Sequence, residues 1–423
     1  MRVTDTVDPS TLDIAAIQKR TLRVLTMGQI VGSAALGSAV TVGGFVIQDI
    51  LDQETPWAGV ATATVTMGTA VMSQLLSRYM QNAGRRPGLQ TGYMIGALGC
   101  WLAAWGAQIG SLALFLVGLF FFGNGQAANL LARYTATDLA EEHERGRAMS
   151  RVVFSSTFGA VFGPLLIGPT QHVGQEWFGL QKYTGPFLLS GVFLFLAFVN
   201  TILRLRPDPL HVAAQVRGTT MAASKPDLRI VSTLKSAWAT PMARLAILTM
   251  IVSQATMVAV MAMTPVHLKL HGHEGVSPYV VSLHIAGMYA FSPWVGKFAD
   301  KNGRLATIDM AAILLVSATL VSALSGDVEQ LLFPSLWLLG LGWNFGLIGG
   351  SSLLIDATEP SKRVATQGVA DLMMSFCGGL AGFASGFIRR AIGYHLLSAG
   401  ATVAAGILLA AVFARRARLA STV

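Results

Sequence analysis

The feature of this sequence that most constrains its fold is a series of apolar runs, each about twenty residues long. A helix of that length covers the roughly 30 Å of hydrocarbon in a lipid bilayer. Across the 423 residues, 53% are hydrophobic and only 12% are charged, whereas soluble proteins carry about 25% charged residues. Lipid offers the backbone no hydrogen-bond partners, so spanning segments with this pattern must be helical. The sequence therefore predicts an all-α polytopic membrane protein.

Twelve such runs divide the chain into its predicted transmembrane helices. They cover residues 22–47, 57–79, 88–109, 111–136, 148–170, 184–205, 243–268, 277–298, 305–325, 330–355, 364–388 and 394–414.

Lysine and arginine residues in the loops and at the ends of these spans predict the orientation of the chain. With the N-terminus inside, 26 of them fall on the inner side and 4 on the outer side. This asymmetry satisfies the positive-inside rule and predicts that both termini are cytoplasmic. It also accounts for the net charge of +9 without nucleic acid, because cytoplasmic basic loops face an anionic lipid leaflet. We expect a multi-pass protein of a bacterial inner membrane, active as a monomer.

The longest polar stretch separates two halves that resemble each other. SRYMQNAGRR (77–86) matches GKFADKNGRL (296–305) at an offset of 219 residues, and Asp138 and Arg145 match Asp356 and Arg363 at an offset of 218. Repeated bundles that move against each other are typical of secondary transporters. The predicted units are an N-terminal segment, a six-helix bundle, a cytoplasmic linker, a second six-helix bundle and a tail; they cover residues 1–21, 22–206, 207–240, 241–415 and 416–423.

The segment GKFADKNGR (296–304) resembles the GxxxDxxGR loop of the major facilitator superfamily. It lies between spans eight and nine, where that family repeats the motif, whereas the copy between spans two and three has Ser77 and Gln81 in place of the first Gly and the Asp. Together with twelve spans and a central linker, the resemblance implies the two-bundle fold of that superfamily and secondary active transport by alternating access between the bundles.

Charged residues and glycines in these loops are candidates for a conformational latch. An Asp near a helix N-terminus is stabilised by the helix dipole and by nearby Arg, and Gly permits close approach of helix ends. The alternatives are a topology determinant and, for the outer members, solvated loop charges of little energetic value. The candidates are Asp300, Gly303, Arg304, Gly84, Arg85, Arg86, Asp138, Arg145, Asp356 and Arg363.

Spans seven and eight carry a possible soft-metal site. Met257 and Met261 lie four residues apart on span seven, and His284 and Met288 lie four apart on span eight, so each pair shares one helix face. Counted from the outer ends of the spans, the two pairs also lie at matched depths, given a rise of about 1.5 Å per residue. Thioether and imidazole ligands suit Cu(I). The plain alternative is that the methionines fill an apolar bundle and that His284 is a hydrogen-bonded bundle residue.

The MxxxM and HxxxM pairs also resemble a copper-importing branch of the superfamily. That resemblance implies that Met257, Met261, His284 and Met288 bind copper as cargo, with no resident cofactor. His267, His271 and His273 lie in the outer loop region above the site and are candidate entry ligands, or else belong to a solvated loop. The wider branch includes flavin importers, so the motif leaves the cargo open.

Another motif favours a different cargo. Gly159, Gly163 and Pro164 in span five resemble the GxxxGP motif of proton-coupled drug exporters, although the same spacing also serves simple helix packing. Uncharged polar and aromatic residues suited to a neutral or planar solute are Gln29, Gln126, Asn129, Tyr134, Gln254, Trp337 and Asn344.

No catalytic or nucleotide-binding motif accompanies these features, so we expect a transporter rather than an enzyme. Copper uptake is the leading hypothesis, and uptake or proton-coupled export of a flavin-like or drug-like solute is the alternative. A sensor or partner-binding protein on a transporter scaffold ranks below both. No acidic or basic residue lies near the middle of a span, so His284 and Asp49 are the first candidates for proton coupling, and Cys377 is a possible further soft ligand.

Overall fold

A computed structural model describes residues 13–51, 59–216, 230–273, 276–326 and 328–420. Every regular element within these ranges is a helix, which confirms the predicted fold class. The middle of the predicted linker (217–229) and the two chain ends (1–12 and 421–423) lie outside the described residues.

The first bundle is built from the helices that precede the linker. α1 packs against α5 and α7, α3 packs against α4 and α7, and α2 packs against α4. The helices are α1 (Ile14–Leu51), α2 (Gly59–Ala83), α3 (Arg85–Gln108), α4 (Leu112–Thr135), α5 (Arg145–Leu165), α6 (Ile167–Phe178) and α7 (Thr184–Arg204).

Two short helices, α8 (Pro209–Val216) and α9 (Ile230–Ala239), flank the undescribed part of the linker. In the second bundle, α10 and α13 each pack against both α14 and α15, and α11 packs against α14. Its helices are α10 (Pro241–Leu270), α11 (Ser277–Tyr289), α12 (Ser292–Asn302), α13 (Arg304–Leu324), α14 (Leu332–Asp356) and α15 (Arg363–Ala420).

Each predicted span has a helical counterpart, but two of the spans are interrupted. Span five is broken at Leu166 into α5 and α6, and span eight is broken before Ser292 into α11 and α12. Spans eleven and twelve are the two parts of α15, which meet at a kink at Gly393, where φ is 87° and ψ is 169°; this agrees with the predicted separation of the two spans. Apolar runs report length but not interruptions, so the breaks within spans five and eight were not visible in the sequence. By length and composition alone, six helices among the described residues qualify as membrane spans.

The backbone reproduces the internal repeat. Gly84 between α2 and α3 has φ 97° and ψ 171°, and Gly303 between α12 and α13 has φ 86° and ψ 166°. These positive φ angles favour glycine. The two residues are 219 positions apart, the offset of the sequence repeat, so the two loops share one conformation.

Contacts between the bundles run along α2 with α15 and along α5 with α12. We call the end of the molecule that carries Gly84, residues 136–144, Gly303 and residues 357–362 the inner end, and the opposite end the outer end; the inner end is the one predicted to be cytoplasmic. Asp300, Arg304 and Asp356 of the second bundle all reach residues 142–147 of the first. The structure is therefore closed at its inner end.

Candidate functional site

The second bundle carries a group of polar and aromatic side chains midway between its inner and outer ends. Trp343 of α14 donates its indole N–H to Gln254 Oε1 of α10 at 2.6 Å, and its ring meets that of Tyr289 of α11 edge-on, with centroids 5.7 Å apart. Gln254 and Trp343 lie 13 and 11 positions after the first residues of α10 and α14, and Tyr289 is the last residue of α11, 12 positions after its first residue and next to the break in span eight. These separations correspond to about 16–20 Å along the helix axes. We call Gln254, Trp343 and Tyr289 the central group.

The central group lies beside the boundary between the bundles. A Cβ added at Gly378 of α15 would touch Gln254, and one added at the next residue, Gly379, would touch Thr66 of α2. Gln254 and Tyr289 keep part of their surface exposed, whereas Trp343 is buried. The group can therefore offer an aromatic surface and an amide without any formal charge.

The first bundle pairs most of its predicted polar residues internally. Gln29 of α1 donates to Ser156 Oγ of α5 at 2.8 Å, and Tyr93 donates to Asn129 Oδ1 at 3.1 Å. In the second bundle, Asn344 accepts from Ser292 at 3.2 Å and is fully buried. Each of these side chains makes one hydrogen bond to another helix, although Gln29 Oε1 and Asn344 Nδ2 are buried without a partner among the described residues. The central group is the better candidate for a solute because Gln254 and Tyr289 are partly exposed beside the boundary between the bundles.

The predicted copper ligands lie in the same bundle as the central group. Met257 and Met288 belong to its hydrophobic core, and Met261 is half-buried against that core. His284 is fully buried, and its Nδ1 lies 2.8 Å from the carbonyl oxygen of Leu336 on α14. Because a carbonyl only accepts, Nδ1 carries the proton, and Nε2 is left without a hydrogen-bond partner among the described residues. Their joint ligation of a metal stays a prediction.

The predicted entry histidines belong to an aromatic cluster at the outer end. His267 is buried and stacks on Tyr394 with centroids 4.4 Å apart, and the rings of His271 and His395 lie 4.2 and 5.2 Å from it. His273 instead faces Glu329, with 2.8 Å between Nδ1 and Oε2. Among the described residues, no group of three or more His, Cys, Asp or Glu side chains is arranged to hold a metal ion.

Asp300 near the end of α12 and Arg304 at the start of α13 tie the two bundles together at the inner end. Asp300 accepts hydrogen bonds from the backbone N–H groups of Gly146 and Arg147, at 2.9 and 2.8 Å. These amides belong to the first turn of α5, where the helix dipole favours a carboxylate. Arg304 bonds to the same Asp300 at 2.8 Å and donates to the carbonyl of Glu142 at 2.7 Å. The loop of the second bundle thus caps a helix of the first.

Among the remaining acidic and basic latch candidates, Asp356 and Arg145 form an ion pair between the bundles. Asp356 pairs with Arg145 of α5 and, at 3.0 Å, with Arg304. Asp138 instead pairs with Arg85 inside the first bundle, with 2.8 Å from Nε to Oδ2. Arg363 donates to the carbonyls of Ile355 and Thr358, inside its own bundle.

The first loop compensates for the missing acid at Gln81 in a different way. Asp208, after α7, accepts from the backbone N–H of Arg86 at 2.7 Å and so caps α3 within its own bundle. The tie to the second bundle comes from Arg85, which donates to Gln367 Oε1 of α15 at 2.9 Å. The two loops share a backbone conformation, but only the second crosses the bundles through a carboxylate.

An ion pair that the sequence did not single out lies deeper, between α4 and α15. Arg133 donates to Asp371, and their side chains are 2% and 0% exposed. Arg133 also donates to Ser351 Oγ and to the hydroxyl of Tyr134, each at 3.2 Å. Asp371 occurs eight residues into an apolar span, and an ionisable residue so placed is a functional signal. Its position near a span end made it look like a boundary charge.

The other sequence candidates have plainer surroundings. A Cβ at Gly159 or Gly163 would clash with the α1 backbone at Ile30 or Ala34, so both glycines permit close packing of α1 and α5. The Pro164 side chain lies outside the described residues. Asp49 is exposed near the outer end of α1, and Cys377 is a half-buried free thiol.

A family model named Major Facilitator Superfamily matches residues 25–382 of this chain. The chain belongs to the major facilitator superfamily. Its members and its fold are those of multi-pass membrane transporters, which agrees with the paired loops and the two bundles. A relative described as uncharacterized MFS-type transporter YddS, from Bacillus subtilis (strain 168), is 39% identical over 397 residues, covering 93% of this chain and 90% of the relative.

Two further similarities bear on this superfamily member. The riboflavin transporter RfnT of Brucella anthropi is 26% identical over 391 residues, which cover 91% of this chain and 92% of the relative. The crystal structure of the human organic anion transporter MFSD10 (TETRAN) superimposes with a TM-score of 0.73 at 15% identity, over 94% of this chain and 99% of that chain. The structural likeness supports the fold alone.

Proposed function

We propose that this protein is a secondary active transporter that moves a small planar organic solute across the membrane by alternating access. The observation that carries the proposal is the central group, Gln254, Trp343 and Tyr289, which lies midway through the membrane beside the boundary between the bundles. Aromatic faces bind flat rings by stacking, and the Gln254 side chain supplies an amide donor. The similarity to a riboflavin transporter makes a flavin the first solute to test.

The binding step can be tested directly with purified protein and riboflavin. Replacement of Trp343 by Leu removes the indole that bonds to Gln254 and packs edge-on against Tyr289, so we expect riboflavin affinity to fall by about tenfold, the equivalent of about 1.4 kcal/mol. Trp105→Leu is the matched control, because Trp105 is 61% exposed on α3 and lies outside the central group. Equal affinity of the two variants would contradict the location of the site, and no binding to the intact protein would contradict a flavin cargo.

Copper uptake is the second candidate function, and His284 is the observation that favours it. Its Nε2 lone pair is buried without a hydrogen-bond partner among the described residues, so this nitrogen is available to coordinate a metal ion. Met257 and Met288, one on each neighbouring span, would supply soft thioether ligands. Against this candidate, both methionines belong to the hydrophobic core of the bundle.

Conservative substitution separates the two candidates. Met261→Leu keeps the size of the side chain and removes only the sulfur lone pairs. Copper transport should therefore fail in this variant, while transport of an organic solute should persist. Elemental analysis of cell-associated copper in a copper-uptake-deficient host, with membrane expression matched and His284→Ala alongside, gives the answer.

A further inference from the structure

The buried ion pair between Arg133 and Asp371 has an unusual position in the fold. Arg133 belongs to the first bundle and Asp371 to the second, so the pair must break when the bundles separate at the inner end. Applied to Arg133, the repeat offset of 218 leads to Ser351, and these two side chains are in contact, with 3.2 Å from Nε to Oγ. Repeat-related positions meet at the pseudo-twofold axis between the bundles. One arginine and one aspartate therefore lie beside that axis.

The pair is an incomplete one. Asp371 Oδ1 accepts from Arg133 and, at 3.4 Å, from the hydroxyl of Tyr134, whereas Oδ2 is buried with no hydrogen-bond partner among the described residues. A carboxylate oxygen without a donor in a dry site is costly. A proton on that oxygen would remove the charge.

Among the described residues, Arg133 is the cation that faces the Asp371 carboxylate. Arg133 is the cation whose charge acts on it, and Tyr134 is the other titratable group in contact. α14 contributes Ser351, whose hydroxyl faces Met250 of α10. One turn away on α15, Gln367 bonds to Arg85 of α3, and Gly368 packs on Gln74 and Ser77 of α2.

We propose that Asp371 is a proton-binding site and that the proton it takes up unlocks the inner end of the transporter. The inference rests on the alternating access proposed above. In the closed state a proton from water on the outer side adds to the carboxylate and forms an O–H bond, which leaves Arg133 buried without its counter-ion. Such an unpaired charge is strongly unfavourable, so the bundles separate at the inner end. Water there hydrates Arg133 and accepts the proton, which restores the carboxylate.

Asp371 lies close to the central group along α15. Seven residues along α15 separate it from Gly378, which packs on Gln254 of the central group, a rise of about 10 Å. Solute and proton would thus bind about two helical turns apart along α15. Occupation of either site would therefore affect how tightly α15 closes against the first bundle. The coupling would carry a proton inward for each cycle.

The test measures the inner end by distance between spin labels as a function of pH. Labels go on Glu141 and Lys362, which are exposed on opposite bundles, after replacement of Cys100 and Cys377 by Ala. In the intact protein, without solute, the ratio of open to closed inner ends should rise as pH falls, by up to roughly tenfold per pH unit, the limit for one linked proton. In Asp371→Asn, which mimics the protonated acid, the inner end should be open and insensitive to pH.

Two further variants keep the result interpretable. Asp371→Glu restores a carboxyl and should restore the pH response, which covers the case in which the Asn variant fails to fold. Asp309→Asn removes a carboxylate that pairs with Arg416 at 2.6 Å inside the second bundle, and it should leave the response intact.

The outcomes separate this inference from the proposed function. No pH response in the intact protein, or a response that survives in Asp371→Asn, would overturn the inference, and the latter would transfer the role to Asp300 or Asp356. Riboflavin binding to the central group is measured in a separate experiment, and its result does not depend on the pH response of the inner end.

Discussion

The carboxylate of Asp300 is the group whose removal should most clearly shift the balance between the two bundles. It accepts two hydrogen bonds from the first turn of α5 and one from Arg304, all between 2.8 and 2.9 Å, and its side chain is 2% exposed. Hydrogen bonds to a charged group contribute about 1.5–3 kcal/mol each. Replacement by Asn keeps the shape and one acceptor oxygen but loses the charge.

Only the two bonds from α5 cross the bundles, so we expect Asp300→Asn to weaken closure of the inner end by about 2 kcal/mol, since roughly half of that interaction remains. That energy corresponds to an increase of about 30-fold in the ratio of open to closed inner ends. The distance between spin labels on Glu141 and Lys362, measured in lipid nanodiscs at neutral pH, reports this ratio directly.

A control with the same chemistry exists inside one bundle. Asp208 caps α3 through the backbone N–H of Arg86 at 2.7 Å, but both residues precede the linker. Asp208→Asn should therefore lower thermal stability without changing the distance between the labels. An unchanged distance in Asp300→Asn, or equal shifts in the two variants, would refute the reasoning that the cross-bundle cap holds the inner end closed.

Two other substitutions test the packing and the first loop. Gly159→Ala should lower the thermal unfolding temperature in detergent, because the new Cβ clashes with the carbonyl of Ile30 at a cost of about 1–3 kcal/mol. Gly168→Ala places its Cβ in open space and should leave the unfolding temperature unchanged. Equal unfolding temperatures for the two variants would contradict the close contact between α1 and α5. Arg85→Lys keeps the charge but loses the planar guanidinium that reaches Gln367. We therefore expect the ratio of open to closed inner ends in the spin-label measurement to rise roughly tenfold. An unchanged ratio would mean that this hydrogen bond contributes nothing to closure.

The sequence predicted the helices well because each apolar run reports a local property of the chain. All twelve runs have helical counterparts, and the repeat offset of 219 residues reappears in the matched conformations of Gly84 and Gly303. The breaks at Leu166 and before Ser292 were missed, because a helix interrupted inside a bundle keeps the composition of an unbroken one.

Partners across the bundles were harder to predict than the helices. Asp300 and Arg304 were identified from a motif, and the structure gives them contacts with α5 and Glu142. Asp138 and Arg145 are the repeat equivalents of Asp356 and Arg363. In the structure, Asp138 pairs with Arg85 and Arg145 pairs with Asp356. Repeat equivalence describes how two bundles are related, whereas ion pairs depend on which side chains face each other after the bundles associate.

The candidate site shows the same division. Gln254 was named as a polar residue suited to a cavity, but its bond to Trp343 and the neighbouring Tyr289 depend on the rotation of three helices. Asp371 was visible as an acid within an apolar span, but its partner Arg133 lies 238 residues away. Spacing along one helix predicts a shared face, and it does not predict which other helix that face meets.

The most direct test of the central claim is uptake of radiolabelled riboflavin into proteoliposomes that contain only the purified protein. We expect uptake well above that of empty liposomes, strongly reduced by Trp343→Leu and unaffected by Met261→Leu, with no copper accumulation in parallel vesicles. Copper accumulation that Met261→Leu abolishes, together with riboflavin uptake no greater than in empty liposomes, would contradict the account and transfer transport to the methionine and histidine residues of α10 and α11.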